Sequence, residues 1–160
     1  MLYRRLPRLD LPNHMYFVTC CLEGRRALLD DPAWADLLLE HYVKARDRGR
    51  IWLHAYVLMP DHYHLLLTLL GDTSISNLVR CVHSTFSRRY RDAHPDCGRV
   101  WQRRFYDHVV RNEHDWQECW DYIDANPVMA GMVADPQAYQ WSSCRFWMTG
   151  DGPVKCDPVR

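Results

Sequence analysis

Length, composition and charge describe an ordinary globular protein: the chain has 160 residues, 48% of them hydrophobic and 25% charged, and a formal net charge of zero. No apolar run approaches the roughly 20 residues that span a bilayer, and the basic N-terminus lacks the apolar stretch of a signal peptide. These properties predict one domain over residues 1–160 in the cytoplasm, with no membrane partner.

The first half of the chain predicts three strands and two helices. Residues 14–22 are aromatic and β-branched, which is typical of a strand, and a helix follows over about 32–48, with Pro32 at a tolerated first position. Residues 51–59 and 62–70 read as two strands joined by a short turn, and therefore as an antiparallel hairpin. Thr73 or Ser74 can cap a second helix that runs to about Tyr90.

The second half predicts one more strand, one more helix and a tail. Residues 104–110 alternate well enough for a fourth strand. A helix then starts at Asn112 or Asp115, and Pro127 must end or interrupt it. The tail, from about residue 134, is rich in Trp, Gly and Pro, so we expect irregular structure there and a core over about 14–133.

The order β-α-β-β-α-β-α predicts an α+β fold. We expect a ferredoxin-like sandwich, in which helices pack on one face of an antiparallel sheet. The seven cysteines form no C-x-x-C pair, and a disulfide framework would favour an even number. We therefore expect reduced, mostly buried thiols.

Positive charge is concentrated in two segments. Residues 1–26 carry five Arg against two carboxylates, and residues 80–111 carry eight Arg against three, whereas residues 112–136 hold six carboxylates and no Lys or Arg. Arginine can bind phosphate with two hydrogen bonds and can stack on bases. The arginines that we single out as candidate DNA contacts are Arg4, Arg5, Arg8, Arg88, Arg89, Arg91, Arg103 and Arg104.

His62 and His64 stand two residues apart in a strand that is otherwise aliphatic. Positions i and i+2 of a strand share a face, so both imidazoles point to one side of the sheet and Tyr63 to the other. Two neutral imidazoles at this spacing can share a divalent ion. The H-x-H pattern is short, however, and a small-molecule metal hydrolase would also fit it.

The last predicted helix supplies a candidate nucleophile. Trp116, Cys119, Trp120 and Ile123 have the spacing of a core stripe, and Tyr122 and Asn126 lie on a flanking face. A tyrosine has an unperturbed pKa near 10 and needs help to act as a nucleophile. An ordinary half-buried tyrosine and a capping asparagine remain the alternatives here.

Three segments resemble the single-tyrosine HUH transposases, and most of all the REP-associated tyrosine transposases. They are Val57-Leu-Met-Pro-Asp-His-Tyr-His-Leu-Leu-Leu, Trp101-Gln-Arg-Arg-Phe-Tyr-Asp-His-Val-Val-Arg and Asp121-Tyr-Ile-Asp-Ala-Asn-Pro-Val-Met-Ala-Gly. They fall in the family's order, and the similarity runs from the first strand to roughly Trp141. The fold that the resemblance implies is the ferredoxin-like sandwich.

The resemblance implies a role for each candidate site residue. His62 and His64 match the pair that holds a divalent ion, Mg²⁺ or Mn²⁺, and Asn126 matches a polar residue that completes the metal site. Tyr122 matches the nucleophile, which the family carries on a helix. Tyr106 is the rival nucleophile. The nearby His108 is expected to be a structural histidine, or one that supports a ligand, rather than a ligand itself.

The function that the resemblance implies is that of a transposase. It is a metal-dependent endonuclease and strand transferase for single-stranded DNA at hairpin-forming repeats, working through a 5′-phosphotyrosine. Its partner is single-stranded or hairpin DNA, and both a monomer and a homodimer are compatible with the sequence. The alternative is a derived protein that binds DNA hairpins without cutting them.

Overall fold

The computed structural model describes residues 10–159. Four strands form one antiparallel sheet in the order β2-β3-β1-β4. The strands are β1 (Met15–Cys21), β2 (Ile51–Met59), β3 (His62–Leu69) and β4 (Tyr106–Val109), and the helices are α1 (Pro32–Asp47), α2 (Ile75–Ala93), α3 (Glu113–Met129) and α4 (Cys144–Thr149). The predicted α+β, ferredoxin-like fold is confirmed.

Helices α1 and α2 cover one face of the sheet. Side chains at alternate positions of the central strands enter this core, which is why Tyr63 is fully buried while its neighbours on β3 face the other way. The Tyr63 hydroxyl bonds to that of Tyr42 on α1, at 2.6 Å. The side chains of Asp31 and Ser74 cap the N-termini of the two helices. Ser74 rather than Thr73 is therefore the N-cap of α2.

Helix α3 covers the opposite face of the sheet, so the expectation that all helices lie on one face is wrong. Its buried residues Cys119 and Ile123 pack against Phe17, Val57 and Leu66. The physical reason lies in β2 and β3, where nearly every position is buried. A sheet that is apolar on both faces must be covered on both.

The proline in α3 does not break the helix where it stands. Pro127 lies two residues before the end of the helix, which finishes at Met129. Gly131 then adopts a φ of +71°, a left-handed conformation that commonly follows a helix C-terminus. The prediction that Pro127 must end or interrupt this helix is wrong at Pro127 itself, because the helix continues to Met129.

The C-terminal segment is more ordered than predicted. It contains α4 and runs along the free edge of β2, where Leu58 N–H donates to Trp141 O at 2.8 Å and Asp157 N–H donates to Leu53 O at 2.7 Å. The Asp157 carboxylate also accepts two bonds from Arg46. The tail therefore covers an edge strand that would otherwise expose unpaired backbone groups.

Two further expectations concern thiols and membranes. None of the seven cysteines, all within residues 10–159, forms a disulfide, and Cys20, Cys119, Cys144 and Cys156 are buried, as predicted for reduced thiols. Within residues 10–159, no helix combines the length and the apolar character that crossing a membrane requires.

Candidate active site

The predicted histidine pair lies on the face of the sheet that α3 covers. His62 and His64 are on the central strand β3, and their ring centroids are 4.9 Å apart. Across the ladder, Cys21 is the partner of His62 and Thr19 the partner of His64. Both imidazoles therefore point to one side, as the i, i+2 spacing predicts.

The Nδ1 atom of each histidine is hydrogen-bonded to a neighbouring side chain. The Nδ1–H of His62 donates to Asp61 Oδ1 at 2.6 Å, and Nδ1 of His64 shares a 2.7 Å hydrogen bond with Thr19 Oγ1. Such partners fix the orientation of an imidazole and leave Nε2 as the atom available for another ligand.

The Nε2 atom of His64 is buried and has no hydrogen-bond partner among residues 10–159. Burial, with smaller effects from His62 and Arg25, lowers the pKa of His64 to about 3. The ring is thus neutral near pH 7 and keeps a lone pair for a metal ion. An unpartnered buried acceptor normally costs free energy, so this atom fits a metal ligand.

Tyr122 lies directly against His64. Its ring centroid is 5.0 Å from that of His64, with an edge-to-face geometry. Phe17 on β1 stacks on His64, with ring centroids 5.4 Å apart. The same Phe17 ring meets the Tyr122 ring edge-on, with centroids 5.9 Å apart. The Tyr122 side chain is nevertheless 45% exposed, so a ligand from solution can reach it. Asn126 lies buried one helical turn further along α3.

Tyr106 occupies a different position. It is on the edge strand β4 and is 59% exposed. Its ring centroid lies 6.5 Å from that of Phe17. Its cross-strand partner is Thr19, which in turn pairs with His64. One full strand therefore separates Tyr106 from the histidines.

His108 takes part in a joint between β4 and α3. Its Nε2 lies 2.7 Å and 2.8 Å from the two oxygens of Asp115, and Arg111 N–H also donates to Asp115. The ligand atoms of His108, Asp115 and Cys119 lie within 4.8 Å of one another, which is close enough for a metal ion. Burial raises the pKa of the Cys119 thiol to about 11, and the hydrogen bonds account for this arrangement without an ion.

The predicted DNA-binding arginines lie in several places. Arg103 lines a groove beside α2, whereas Arg89 lines a separate cavity between α1 and α2. Arg88 and Arg104 are exposed. Arg4, Arg5 and Arg8 lie outside the described residues.

The sequence did not point to Thr19 and Phe17, which contact His64, nor to two further residues beside His62. Asp61 holds His62, and Arg25 Nε lies 2.8 Å from the other carboxylate oxygen of Asp61. Arg25 also donates to Cys21 Sγ at 3.0 Å, which keeps its guanidinium at the end of β1. Asp61 could have been noticed from its place beside His62, but nothing in the sequence links Arg25 to it.

A ferredoxin-like sheet with paired histidines on its central strand and a tyrosine-bearing helix over them defines a class of DNA transposases. The chain belongs to the IS200-like transposase family, whose model matches residues 10–126. Within that family it is similar to the REP-associated tyrosine transposases.

Two relatives illustrate this similarity. A REP-associated tyrosine transposase of Escherichia coli K12 is 31% identical over 132 residues, which is 80% of this chain and 74% of the relative. The structure of a REP-associated tyrosine transposase bound to a REP hairpin has a TM-score of 0.73 and 27% identity, and the match covers 97% of this chain and 92% of that one.

Proposed function

We propose that the chain is a metal-dependent endonuclease and strand transferase for single-stranded DNA beside hairpin-forming repeats. The observation that carries this proposal is the contact of the half-exposed Tyr122 ring with His64, whose buried Nε2 lacks a partner in the described part of the chain. A nucleophile and a metal ligand side by side suit phosphoryl transfer.

His62 and His64 are the proposed metal ligands, with Asn126 as a further oxygen ligand. A bound Mg²⁺ or Mn²⁺ would supply Lewis-acid stabilisation of charge on the scissile phosphate. Asp61 and Thr19 orient the two imidazoles through their Nδ1 atoms. Phe17 limits the movement of the His64 ring by stacking on it.

In the proposed reaction, Tyr122 Oη attacks the scissile phosphorus in line with the bond to the 3′ oxygen. That bond breaks as the new P–O bond forms, which yields a 5′-phosphotyrosine and a DNA 3′-hydroxyl. The phenol gives up its proton, for which the exposed side of Tyr122 offers a path to solvent, and the departing 3′ oxygen takes one up. A 3′-hydroxyl that attacks the phosphotyrosine reverses these steps and joins a new end.

The proposed substrate follows from the relatives. One solved relative is bound to a REP hairpin, and the match to it covers nearly all of this chain. We therefore infer that this protein acts at a DNA hairpin, with cleavage in the adjoining single strand.

The test is the formation of a covalent protein–DNA adduct. Wild-type protein incubated with a labelled hairpin oligonucleotide and Mn²⁺ should give an adduct that survives denaturing electrophoresis. Tyr122→Phe should abolish it and leave DNA binding within about twofold, because only the nucleophilic oxygen is removed. Tyr106→Phe is the matched control and should keep wild-type adduct formation.

Two outcomes would contradict the proposal in different ways. An adduct that persists in Tyr122→Phe and disappears in Tyr106→Phe would make Tyr106 the nucleophile. Tight hairpin binding by the wild type without any adduct, in Mg²⁺ and in Mn²⁺, would instead indicate a protein that binds hairpins without cutting them.

A further inference from the structure

A basic groove runs along α2, on the face of the sheet opposite to the candidate active site. Helix α2 and residues 99–105 enclose it, with a volume of about 540 Å³. Among the described residues that line it, none is acidic. Its polar lining includes Arg80, Arg91, Arg99, Arg103, Ser84 and Ser87. We call this feature the α2 groove.

Hydrogen bonds fix the backbone of residues 97–100, which leads into the wall of the α2 groove opposite the helix. Arg26 donates to Cys97 O at 2.8 Å and also to Arg99 O. Glu23 N–H donates to Val100 O at 2.8 Å. The backbone that carries Arg99 is therefore fixed opposite α2, and the arginines of both walls line one groove.

The lining suits phosphates rather than bases. Trp101 is only 5% exposed, and its ring stacks on His83 at 4.0 Å with nearly parallel planes, so neither ring is free to take a base on that side. Phe105 packs against the same core. Arginine and serine side chains are common contacts of DNA phosphates, whereas sites for single strands use exposed aromatic platforms.

One end of the α2 groove meets the end of the sheet that carries His62. Gln102 N–H donates to Cys21 O at 3.0 Å, and Cys21 is the cross-strand partner of His62. Arg25, with about half of its side chain exposed, lies beside Cys21 at the same end. A strand leaving the groove would pass this positive charge before it reached the histidine face.

We infer that the α2 groove binds the phosphate backbone of the duplex stem of the hairpin, and that the adjoining single strand passes the end of β1 to reach Tyr122. This inference rests on the proposed function, since it names where that substrate docks. It assigns DNA contacts to Arg80 and Arg99, which the sequence analysis had not singled out.

The experiment compares two double variants that each remove two positive charges. Arg80→Ala/Arg99→Ala alters both walls of the α2 groove, and Arg48→Ala/Arg50→Ala alters the cavity between α1 and α2. Binding of a labelled hairpin oligonucleotide is measured by anisotropy in EDTA over a series of salt concentrations. The groove variant should bind the hairpin about tenfold or more weakly than the wild type. A plot of the logarithm of its association constant against the logarithm of the salt concentration should be less steep, by about 0.9 in slope per lost phosphate contact.

The control variant should keep the wild-type slope, and both variants should bind an unstructured single strand as the wild type does. Equal losses in the two variants, or an unchanged slope in the groove variant, would overturn the inference. A loss as large on the unstructured strand would instead make the groove a single-strand site. Arg80→Gln/Arg99→Gln, with less change in side-chain volume, repeats the test if the first variant is poorly folded.

The two proposals can fail independently. Binding in EDTA does not depend on cleavage, so absence of an adduct with Mn²⁺ would count against the proposed function and leave the groove measurement intact. The converse result is a groove variant that forms the adduct normally and binds the hairpin with undiminished affinity. That result would contradict docking of the stem in the α2 groove and would leave the proposed function unaffected.

Discussion

At the scale of single residues, the two histidines of β3 have different surroundings. His64 is buried in the middle of the sheet, stacked on Phe17 and bonded to Thr19. His62 stands at the start of its strand and is held by Asp61. Asp61 in turn pairs with Arg25, so a chain of three side chains ends at the exposed rim of the site.

Substitution Asp61→Asn tests this chain of side chains. An amide accepts the Nδ1–H of His62 less strongly than a carboxylate and loses the ion pair with Arg25. We expect the apparent Kd for Mn²⁺, measured by calorimetric titration, to rise about 10- to 100-fold, as is usual when a side chain hydrogen-bonded to a metal-binding histidine is removed.

Asp72→Asn, at an exposed position, is the matched control and should leave the Mn²⁺ affinity unchanged. The thermal unfolding midpoint of both variants should stay close to that of the wild type, because neither side chain lies in the core. Unaltered Mn²⁺ affinity in Asp61→Asn would show that Asp61 does not orient a metal ligand.

At the scale of elements, α3 matters most because it carries Tyr122. The joint between His108 and Asp115 attaches the start of the helix to β4, and Cys119 and Ile123 attach its middle to the sheet. The Asn112 side chain caps the helix by accepting the Asp115 N–H at 2.9 Å. These contacts determine where the tyrosine ring stands relative to His64.

Loss of the cap should weaken α3. Asn112→Ala removes the acceptor and should lower the free energy of unfolding by about 1 kcal/mol in urea denaturation. Asn112→Ser keeps a capping oxygen and should stay within a few tenths of a kcal/mol of the wild type. Equal destabilisation by the two substitutions would mean that the cap contributes little.

Prediction from sequence succeeded where a local pattern determines the element. The strands and the first two helices lie within about three residues of their expected bounds because their signals, such as the Pro32 start of α1 and the Ser74 cap of α2, are local. Helix α4 was missed because six residues carry too little periodicity. The covered edge of β2 was missed because it depends on residues far along the chain.

At the scale of the whole molecule, the sheet separates two regions of the protein. The candidate active site lies between the sheet and α3, and the α2 groove lies on the other face. Both meet the sheet end where β1 finishes and β3 begins. Tyr122 contacts the His64 of its own chain, so we expect Tyr122 to act with the proposed metal ligands of the same subunit.

Mixing two inactive variants tests this arrangement. Tyr122→Phe supplies an intact histidine pair and His64→Ala supplies an intact tyrosine. If each subunit uses its own residues, the mixture should form no adduct on hairpin DNA with Mn²⁺. Adduct formation restored by mixing would show instead that subunits exchange their tyrosine helices.

The sequence by itself determined the local elements, the shared face of His62 and His64 and, through three ordered segments, the family. These follow from backbone periodicity and from short motifs, which need no knowledge of the fold. Only the tertiary structure decided that α3 lies over the second face, that Arg25 pairs with Asp61 beside His62 and that Arg80, Arg91, Arg99 and Arg103 line one groove. Such contacts join residues distant in sequence, and packing of a sheet that is apolar on both faces is what brings them together.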